Sequence, residues 1–181
     1  MTDLGTFLAD PERLAKAIVD ATLAHVNQKD KLGAPYILHP LDVMIRVQRR
    51  GGTTNQLIAA VLHDPVEDTN LTLDYIEQTF GEEVAALVDA VTKRPGESYP
   101  DFISRIIATT DDLWASAEGR WSSWMTHPQR SGPALIKLCD IDGNTEPDRL
   151  LAIPDQPTRD RLMGKYVPAK GRLLAYLNLE R

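Results

Sequence analysis

The sequence has a single cysteine, Cys139, among its 181 residues. One thiol excludes an internal disulfide, which favours a reducing compartment such as the cytoplasm. No uninterrupted apolar run approaches the roughly 18 residues of a membrane span, and the first residues lack the basic and apolar regions of a signal peptide. The net charge of −6 leaves no broadly basic face for duplex nucleic acid. We therefore expect a cytoplasmic protein without membrane or duplex partners, and a homo-oligomer is possible.

Strand signals are also lacking, because no stretch combines clean alternation of apolar and polar residues with turns at strand spacing. Helix signals recur instead, as at Asp10-Pro11-Glu12, where an N-cap precedes proline in the first turn. The length suits one domain. The sequence predicts an all-α single domain over residues 1–181. Its expected helices include one capped by Thr54 or Asn55, one that follows Thr72, and others over 82–93, 98–109, 134–142 and about 158–177, the last within a C-terminal helical segment at 156–181.

Residues 111–133 resist this helical interpretation. They contain all three tryptophans, Trp114, Trp121 and Trp124, among serine, glycine, proline and arginine residues. The segment could be a helix followed by a long loop, or an insertion that covers part of a pocket. Alternatively, the tryptophans fill the core or contact another subunit.

Residues 63–68 carry several side chains that bind metals or move protons. If the segment is helical, His63 pairs with Glu67 and Asp64 with Asp68, each at i,i+4. A metal between His63 and Asp64 would then have carboxylates one turn away. The alternative is a helix start, with Asp64 at the N-cap, Pro65 at the first position and Glu67 at the third.

Two further residues favour the metal interpretation. His39 lies at the entry to a helix, and Asp140 follows the mostly apolar run 135–139. Burying a carboxylate there is costly unless a positive group meets it. A cation bound by His39, His63, Asp64 and Asp140 would meet that need. Two imidazoles and two carboxylates suit a divalent metal such as Mn²⁺, Fe²⁺ or Zn²⁺, and we favour Asp64 as a ligand over Asp64 as a cap, with Pro65 marking a bend.

Four blocks occur in one order: Gly33-x-Pro35-Tyr36-Ile37-x-His39-Pro40-Leu41, Ala59-Ala60-Val61-Leu62-His63-Asp64-x-Val66-Glu67-Asp68-Thr69, Phe80-Gly81 with Val91-Thr92-Lys93, and Lys137-Leu138-x-Asp140-x-x-x-Asn144. Together they resemble the HD-domain hydrolases of the RelA/SpoT type, which remove the 3′-pyrophosphate from ppGpp and pppGpp. The resemblance covers roughly residues 13–152. It is closest to the stand-alone small alarmone hydrolases, including the metazoan SpoT homologue.

The resemblance implies a role for each matching residue. His39, His63, Asp64 and Asp140 match the metal ligands, usually of Mn²⁺, and Glu67 and Asp68 match an acidic pair that orients or deprotonates the attacking water. Residues that would contact the nucleotide are Lys31, Tyr36 and Asn144. Spacing adds Lys137, which shares a helix face with Asp140 and Asn144, and Arg94 is a further candidate because it lies in a distinctive turn.

Two charges depart from the family pattern. Asp30 stands where a basic residue commonly precedes the lysine, and Glu146 stands where an arginine is common. Both changes put negative charge where the base and phosphates would lie. The sequence therefore leaves open another nucleotide, such as ppApp or NADPH, and a non-catalytic nucleotide-binding HD module.

Overall fold

The computed structural model of the chain describes residues 10–117 and 132–178. These residues form helices and connecting turns, with one isolated β-bridge between Lys29 and Pro35 and no strand within the described ranges. The all-α prediction is thus confirmed. The helices are α1 (Pro11–Ala24), α2 (Leu38–Arg49), α3 (Thr54–Val61), α4 (Pro65–Asp68), α5 (Leu73–Phe80), α6 (Glu82–Val91), α7 (Tyr99–Ala117), α8 (Gly132–Asn144), α9 (Pro147–Leu151) and α10 (Gln156–Tyr176).

Local capping sets several helix starts. The Asp10 side chain accepts a hydrogen bond from the backbone N–H of Arg13, as expected for α1. Thr72 caps α5 in the same way, so both predicted starts are confirmed. The prediction that Thr54 or Asn55 caps α3 is wrong, because the N-cap is Thr53. Thr53 forms a reciprocal capping box with Gln56. A hydroxyl and an amide then satisfy two backbone donors together.

The described ends of the tryptophan-containing segment are helical, which agrees with the first of the two interpretations, a helix followed by a long loop. Helix α7 continues to Ala117 and α8 already begins at Gly132, so residues 111–117 and 132–133 are helical. The one proline of α7, Pro100, stands in the first turn, where proline is tolerated, and α7 contains no glycine. The Thr110 hydroxyl accepts a hydrogen bond from the backbone N–H of Ala134. Trp121, Trp124 and His127 lie outside the described residues, and both interpretations of the tryptophans stay predictions.

Two hydrophobic clusters hold the helices together. The cluster formed by residues of α1, α2, α3, α5 and α6 is called the first core. The cluster formed by residues of α7 and α10 with Ile153 is called the second core. Helix α8 belongs to both: Ile136 and Cys139 pack in the first core, whereas Leu138 and Ile141 pack in the second. Asp140 therefore lies on a helix that is buried from two sides. Within the described ranges, no helix is long and apolar enough to cross a membrane.

Candidate metal centre and cleft

The segment that follows α3 turns away from the helix axis. Helix α3 ends at Val61, and α4 begins at Pro65, so a continuous helix through His63 and Glu67 is wrong. Leu62 is the C-cap of α3, and the expected bend beside Pro65 is confirmed. The bend leaves the His63 and Asp64 side chains on non-helical backbone between two helices. Because α3 is buried along residues 56–61, it carries His63 into the interior, where that residue is 3% exposed.

His63 presents one ring nitrogen to two carboxylates. Its Nδ1 lies 2.8 Å from the backbone oxygen of Ala60, an acceptor, so Nδ1 carries a hydrogen. Its Nε2 lies 3.0 Å from Asp64 Oδ1 and 3.7 Å from Asp140 Oδ1. Burial alone would lower the pKa of His63, but the two carboxylates outweigh it and raise the pKa to about 10. The two carboxylates therefore favour a positive charge at Nε2, which either a proton or a bound metal ion can supply.

His39 approaches the same point from α2. Its Nε2 lies 3.0 Å from Asp140 Oδ1 and 4.0 Å from Asp64 Oδ2. One ligand atom each from His39, His63 and Asp140 lies within 4.8 Å of the others, and all three residues are buried. Side chains from α2, the end of α3 and α8 thus converge on one small volume.

Asp64 stands at the N-cap position of α4, but its side chain makes no capping hydrogen bond. It accepts a hydrogen bond of 2.6 Å from the Tyr36 hydroxyl instead. Burial would raise the pKa of Asp64, but the charge of His63 outweighs it and lowers the pKa below its ordinary value. The contacts therefore support the ligand interpretation of Asp64 and not the capping one.

Asp140 accepts hydrogen bonds from two residues of its own helix. The donors are Lys137 Nζ and Asn144 Nδ2, each at 2.6 Å. Burial would raise the pKa of Asp140, but the Lys137 ammonium and the two imidazoles hold it well below the usual range. The shared face predicted for these three residues brings them into direct contact.

These residues fit a divalent metal ion. Nε2 of His63 has no hydrogen-bond partner among the described residues, and Ala60 fixes the tautomer in which that atom carries the lone pair. Such an outer hydrogen bond is typical of metal-binding histidines. Nitrogen and carboxylate oxygen donors together suit Mn²⁺, Fe²⁺ or Zn²⁺. His39, His63, Asp64 and Asp140 would hold the ion.

A cleft of about 380 Å³ opens next to this cluster. It brings together most of the residues that the sequence singled out: Lys31, Tyr36, His39, Asp64, Glu67, Asp68, Lys137, Asp140 and Asn144. Glu67 and Asp68 are exposed in it, and Glu67 Oε2 accepts a 3.2 Å hydrogen bond from the backbone N–H of Lys93. The partial loss of solvent around the Asp68 carboxyl group in the cleft, followed by the charge of Asp64, raises the pKa of Asp68.

Arg94 is not brought into the cleft. Its guanidinium makes two hydrogen bonds to the Asp89 carboxylate, at 2.6 and 2.7 Å, on the exposed surface. Its backbone N–H donates to Glu97, which closes the turn that drew attention to this residue. These local contacts account for the distinctive turn, and Arg94 does not line the cleft.

The negative charge of Asp30 is satisfied locally. Its Oδ1 accepts hydrogen bonds from the backbone N–H groups of Leu32 and Ala34, both at 2.9 Å. Its Oδ2 lies 3.7 Å from a guanidinium nitrogen of Arg149. Asp30 therefore shapes the loop that contains Lys31, and α9 supplies a cation beside Asp30.

The negative charges that follow Asp140 are also paired. Glu146 accepts a 2.6 Å hydrogen bond from Arg46 of α2. Asp142 lies 2.6 Å from Arg50 and 2.8 Å from Lys170. Neither carboxylate lines the cleft. Asp142 and Glu146 thus bind helices together outside the cleft, whereas Asp30 is one of the residues that line it.

Sequence reasoning missed one wall of the cleft. Its residues lie in α7, α9 and α10 and near them, namely Tyr99, Phe102, Arg149, Ile153, Leu162, Lys165 and Tyr166. The available signal was the apolar spacing of Leu162, Tyr166, Ala169 and Leu173, which predicts one buried face of α10. That spacing does not predict which side chains of α10, such as Lys165, line the cleft.

Comparison with known proteins agrees with this geometry. The protein family described as "HD domain" matches residues 17–100. Over 177 residues, or 97% of this chain, the sequence is 40% identical to the bifunctional (p)ppGpp synthase/hydrolase SpoT of Escherichia coli strain K12. It is 40% identical over 106 residues, or 56% of this chain, to a guanosine-3′,5′-bis(diphosphate) 3′-pyrophosphohydrolase of Aquifex aeolicus. The chain spans 22% and 15% of the lengths of these two relatives.

A solved structure has the same fold. It is described as a metazoan ortholog of SpoT that hydrolyzes ppGpp, and it matches with a TM-score of 0.62. The match covers 93% of this chain and 96% of that one, at 22% sequence identity. The helical architecture, the buried His and Asp cluster and these similarities together show that the chain contains an HD domain similar to that of the RelA/SpoT proteins.

Proposed function

We propose that the protein is a metal-dependent phosphohydrolase that removes the 3′-pyrophosphate from ppGpp, pppGpp or a closely related nucleotide. The observation that carries the proposal is the convergence of His39, His63 and Asp140 beside Asp64, at a cleft that also holds free carboxylates and cations. The names of the relatives supply the substrate. Cytoplasm is the proposed compartment, because the one cysteine, Cys139, is buried and free.

Mn²⁺ is the proposed metal, with Fe²⁺ and Zn²⁺ as alternatives that the same donors accept. His39, His63, Asp64 and Asp140 would bind it. A divalent ion there supplies Lewis acidity towards a phosphoryl oxygen and lowers the pKa of water to near 7. Tyr36 would orient Asp64 through its 2.6 Å hydrogen bond, and Lys137 and Asn144 would orient Asp140.

Glu67 and Asp68 are the proposed proton acceptors. Both lie in the cleft one short turn beyond Asp64. The backbone N–H of Lys93 holds one oxygen of Glu67 and leaves the other free to accept a proton from water. The raised pKa of Asp68 brings that carboxyl nearer to the range in which general acid–base catalysis is efficient. Lys31 and Asn144, which line the cleft, are the proposed contacts of the nucleotide.

The experiment is a substrate panel with protein loaded with Mn²⁺, Fe²⁺ or Zn²⁺. We expect pyrophosphate release from ppGpp and pppGpp, and lower or no turnover of ppApp and NADPH. Glu67→Gln should keep the metal and slow turnover by about 10²–10⁴-fold, the usual size of general acid–base help. Arg94→Ala is the matched control and should behave like the wild type. Wild-type turnover by Glu67→Gln would contradict the role of Glu67.

The same panel tests the non-catalytic alternative. A module that only binds nucleotides would bind ppGpp tightly with or without metal and release no product. Fully metal-loaded protein that turns over none of the four nucleotides would remove the hydrolase proposal for these substrates.

A further inference from the structure

Lys165 occupies an unusual position on the α10 side of the cleft. Its Nζ lies 4.3 Å from the ring centroid of Tyr99 and 4.9 Å from that of Tyr166. In the described part of the chain no carboxylate lies within salt-bridge distance of Lys165. Aromatic faces attract an ammonium group but leave N–H donors unused. The rings therefore hold this ammonium in the cleft with donors available for a ligand.

Arg149 adds a second cation from α9. Its side chain is 29% exposed and lines the same cleft. The nearest carboxylate oxygen, Asp30 Oδ2, is 3.7 Å away, which is longer than a normal hydrogen bond. Since Oδ1 of Asp30 is engaged by the loop backbone, Asp30 orients Arg149 without saturating its five donors.

Cations from α9 and α10 line one side of the cleft, whereas its carboxylates come from other elements, namely Asp30, Asp64, Glu67, Asp68 and Asp140. Lys31, Lys137, Arg149 and Lys165 all line the cleft, and Lys137 is the one whose ammonium is committed to Asp140. Burial, and then the charge of Lys137, lowers the pKa of Lys165. A phosphate group would offset both effects, because it returns an opposite charge to a partly buried ammonium.

We propose that Arg149 and Lys165 form an anion subsite that binds a phosphate group of the nucleotide other than the group that is hydrolysed. On the proposed function, that group is the 5′-diphosphate of the guanosine nucleotide. The metal-binding residues come from α2, the end of α3 and α8, whereas this pair comes from α9 and α10, so the two ends of the ligand are held by different elements. Basic residues are common at the positions of Asp30 and Glu146. In this chain, Arg149 of α9 and Lys165 of α10 would supply that positive charge instead.

The test is binding of guanosine 5′-diphosphate, measured by calorimetry with Mn²⁺-loaded protein. This probe has no 3′-pyrophosphate, so its binding does not depend on turnover. Lys165→Met keeps the aliphatic length over the rings and removes the charge, and Arg149→Met does the same on α9. Each should weaken binding about 10- to 100-fold, the range for loss of charge-assisted hydrogen bonds. Lys165→Arg should restore most of the affinity.

Arg161→Met is the matched control, because Arg161 is an exposed cation one turn earlier on α10 that does not line the cleft. It should bind the probe like the wild type. All variants should keep the wild-type thermal midpoint, and in any active preparation Lys165→Met should raise KM for ppGpp with kcat largely retained.

The outcomes separate this inference from the proposed function. Probe binding that is weakened in both Met variants, with no hydrolysis by the wild type, would support the subsite and refute the hydrolase. Wild-type binding by both variants would overturn the subsite whatever the activity. Failure of the wild type to bind the probe, or an equal loss in Arg161→Met, would overturn it as well.

Discussion

Asp140→Asn tests how the buried charges of the metal centre depend on one another. The substitution keeps the size of the side chain and removes its charge. Asp140 is 5% exposed and accepts a 2.6 Å hydrogen bond from Lys137, which is 12% exposed. Without the carboxylate, the Lys137 ammonium stays buried with no anion in contact, so we expect loss of stability in metal-free protein.

The expected size follows from this geometry. Removing one partner of a buried ion pair typically costs about 3–5 kcal/mol. The new amide still offers an oxygen to Asn144, so we expect the lower end, about 3 kcal/mol. The same change at Asp89, which pairs with Arg94 on the surface, should cost no more than about 1 kcal/mol and is the control.

Urea unfolding of chelator-treated protein measures these losses. Lys137→Met removes the ammonium, and the double variant Lys137→Met/Asp140→Asn contains neither charge. We expect the double variant to lose about 1–3 kcal/mol less than the sum of the single losses, the range for directly interacting groups. Additivity to within about 0.5 kcal/mol would refute the ion-pair reasoning. Full metal occupancy of Asp140→Asn after gel filtration would refute the ligand role of Asp140.

Two further predictions concern the other metal-binding residues. In chelator-treated protein, His63 has its pKa raised to about 10, so its contribution to stability is fully present below the unfolded pKa near 6.5 and is lost as pH rises through about 10. Between these two pKa values, the free energy of unfolding measured in urea should fall by up to about 1.4 kcal/mol per pH unit. An equal fall in His63→Gln would contradict the assignment. Tyr36→Phe removes the donor to Asp64 and should weaken metal binding about 10- to 100-fold, the range for outer-sphere contacts, as measured by chelator competition; unchanged affinity would contradict an orienting role.

The sequence predicted the parts of the molecule that depend on local chemistry. Caps at Asp10 and Thr72 act within three residues, so the starts of α1 and α5 could be read directly. The cost of burying Asp140 likewise pointed to a positive partner. The sequence predicted a metal ion as that partner. The structure adds a second one, the ammonium group of Lys137, three residues earlier on the same helix.

The parts that the sequence did not predict depend on packing between distant segments. From the sequence alone, Asp30 and Glu146 place unpaired negative charge near a phosphorylated ligand, because the sequence does not show which cations pair with them. Glu146 pairs with Arg46, 100 residues earlier, and Arg149 reaches Asp30 only once α9 lies against the loop. The continuous helix through His63 is wrong because α3 ends at Val61 and a turn at residues 62–64 precedes the start of α4 at Pro65.

The two hydrophobic cores suggest how substrate preference could change in this fold. Helices of the first core and α8 carry the metal-binding side chains, whereas the opposite wall of the cleft is mounted largely on the second core. Substitutions along α9 and α10 can therefore alter the charge and shape that a ligand meets without repacking α3 around His63. In a protein built this way, the preference for a ligand can change while the metal-binding side chains stay as they are.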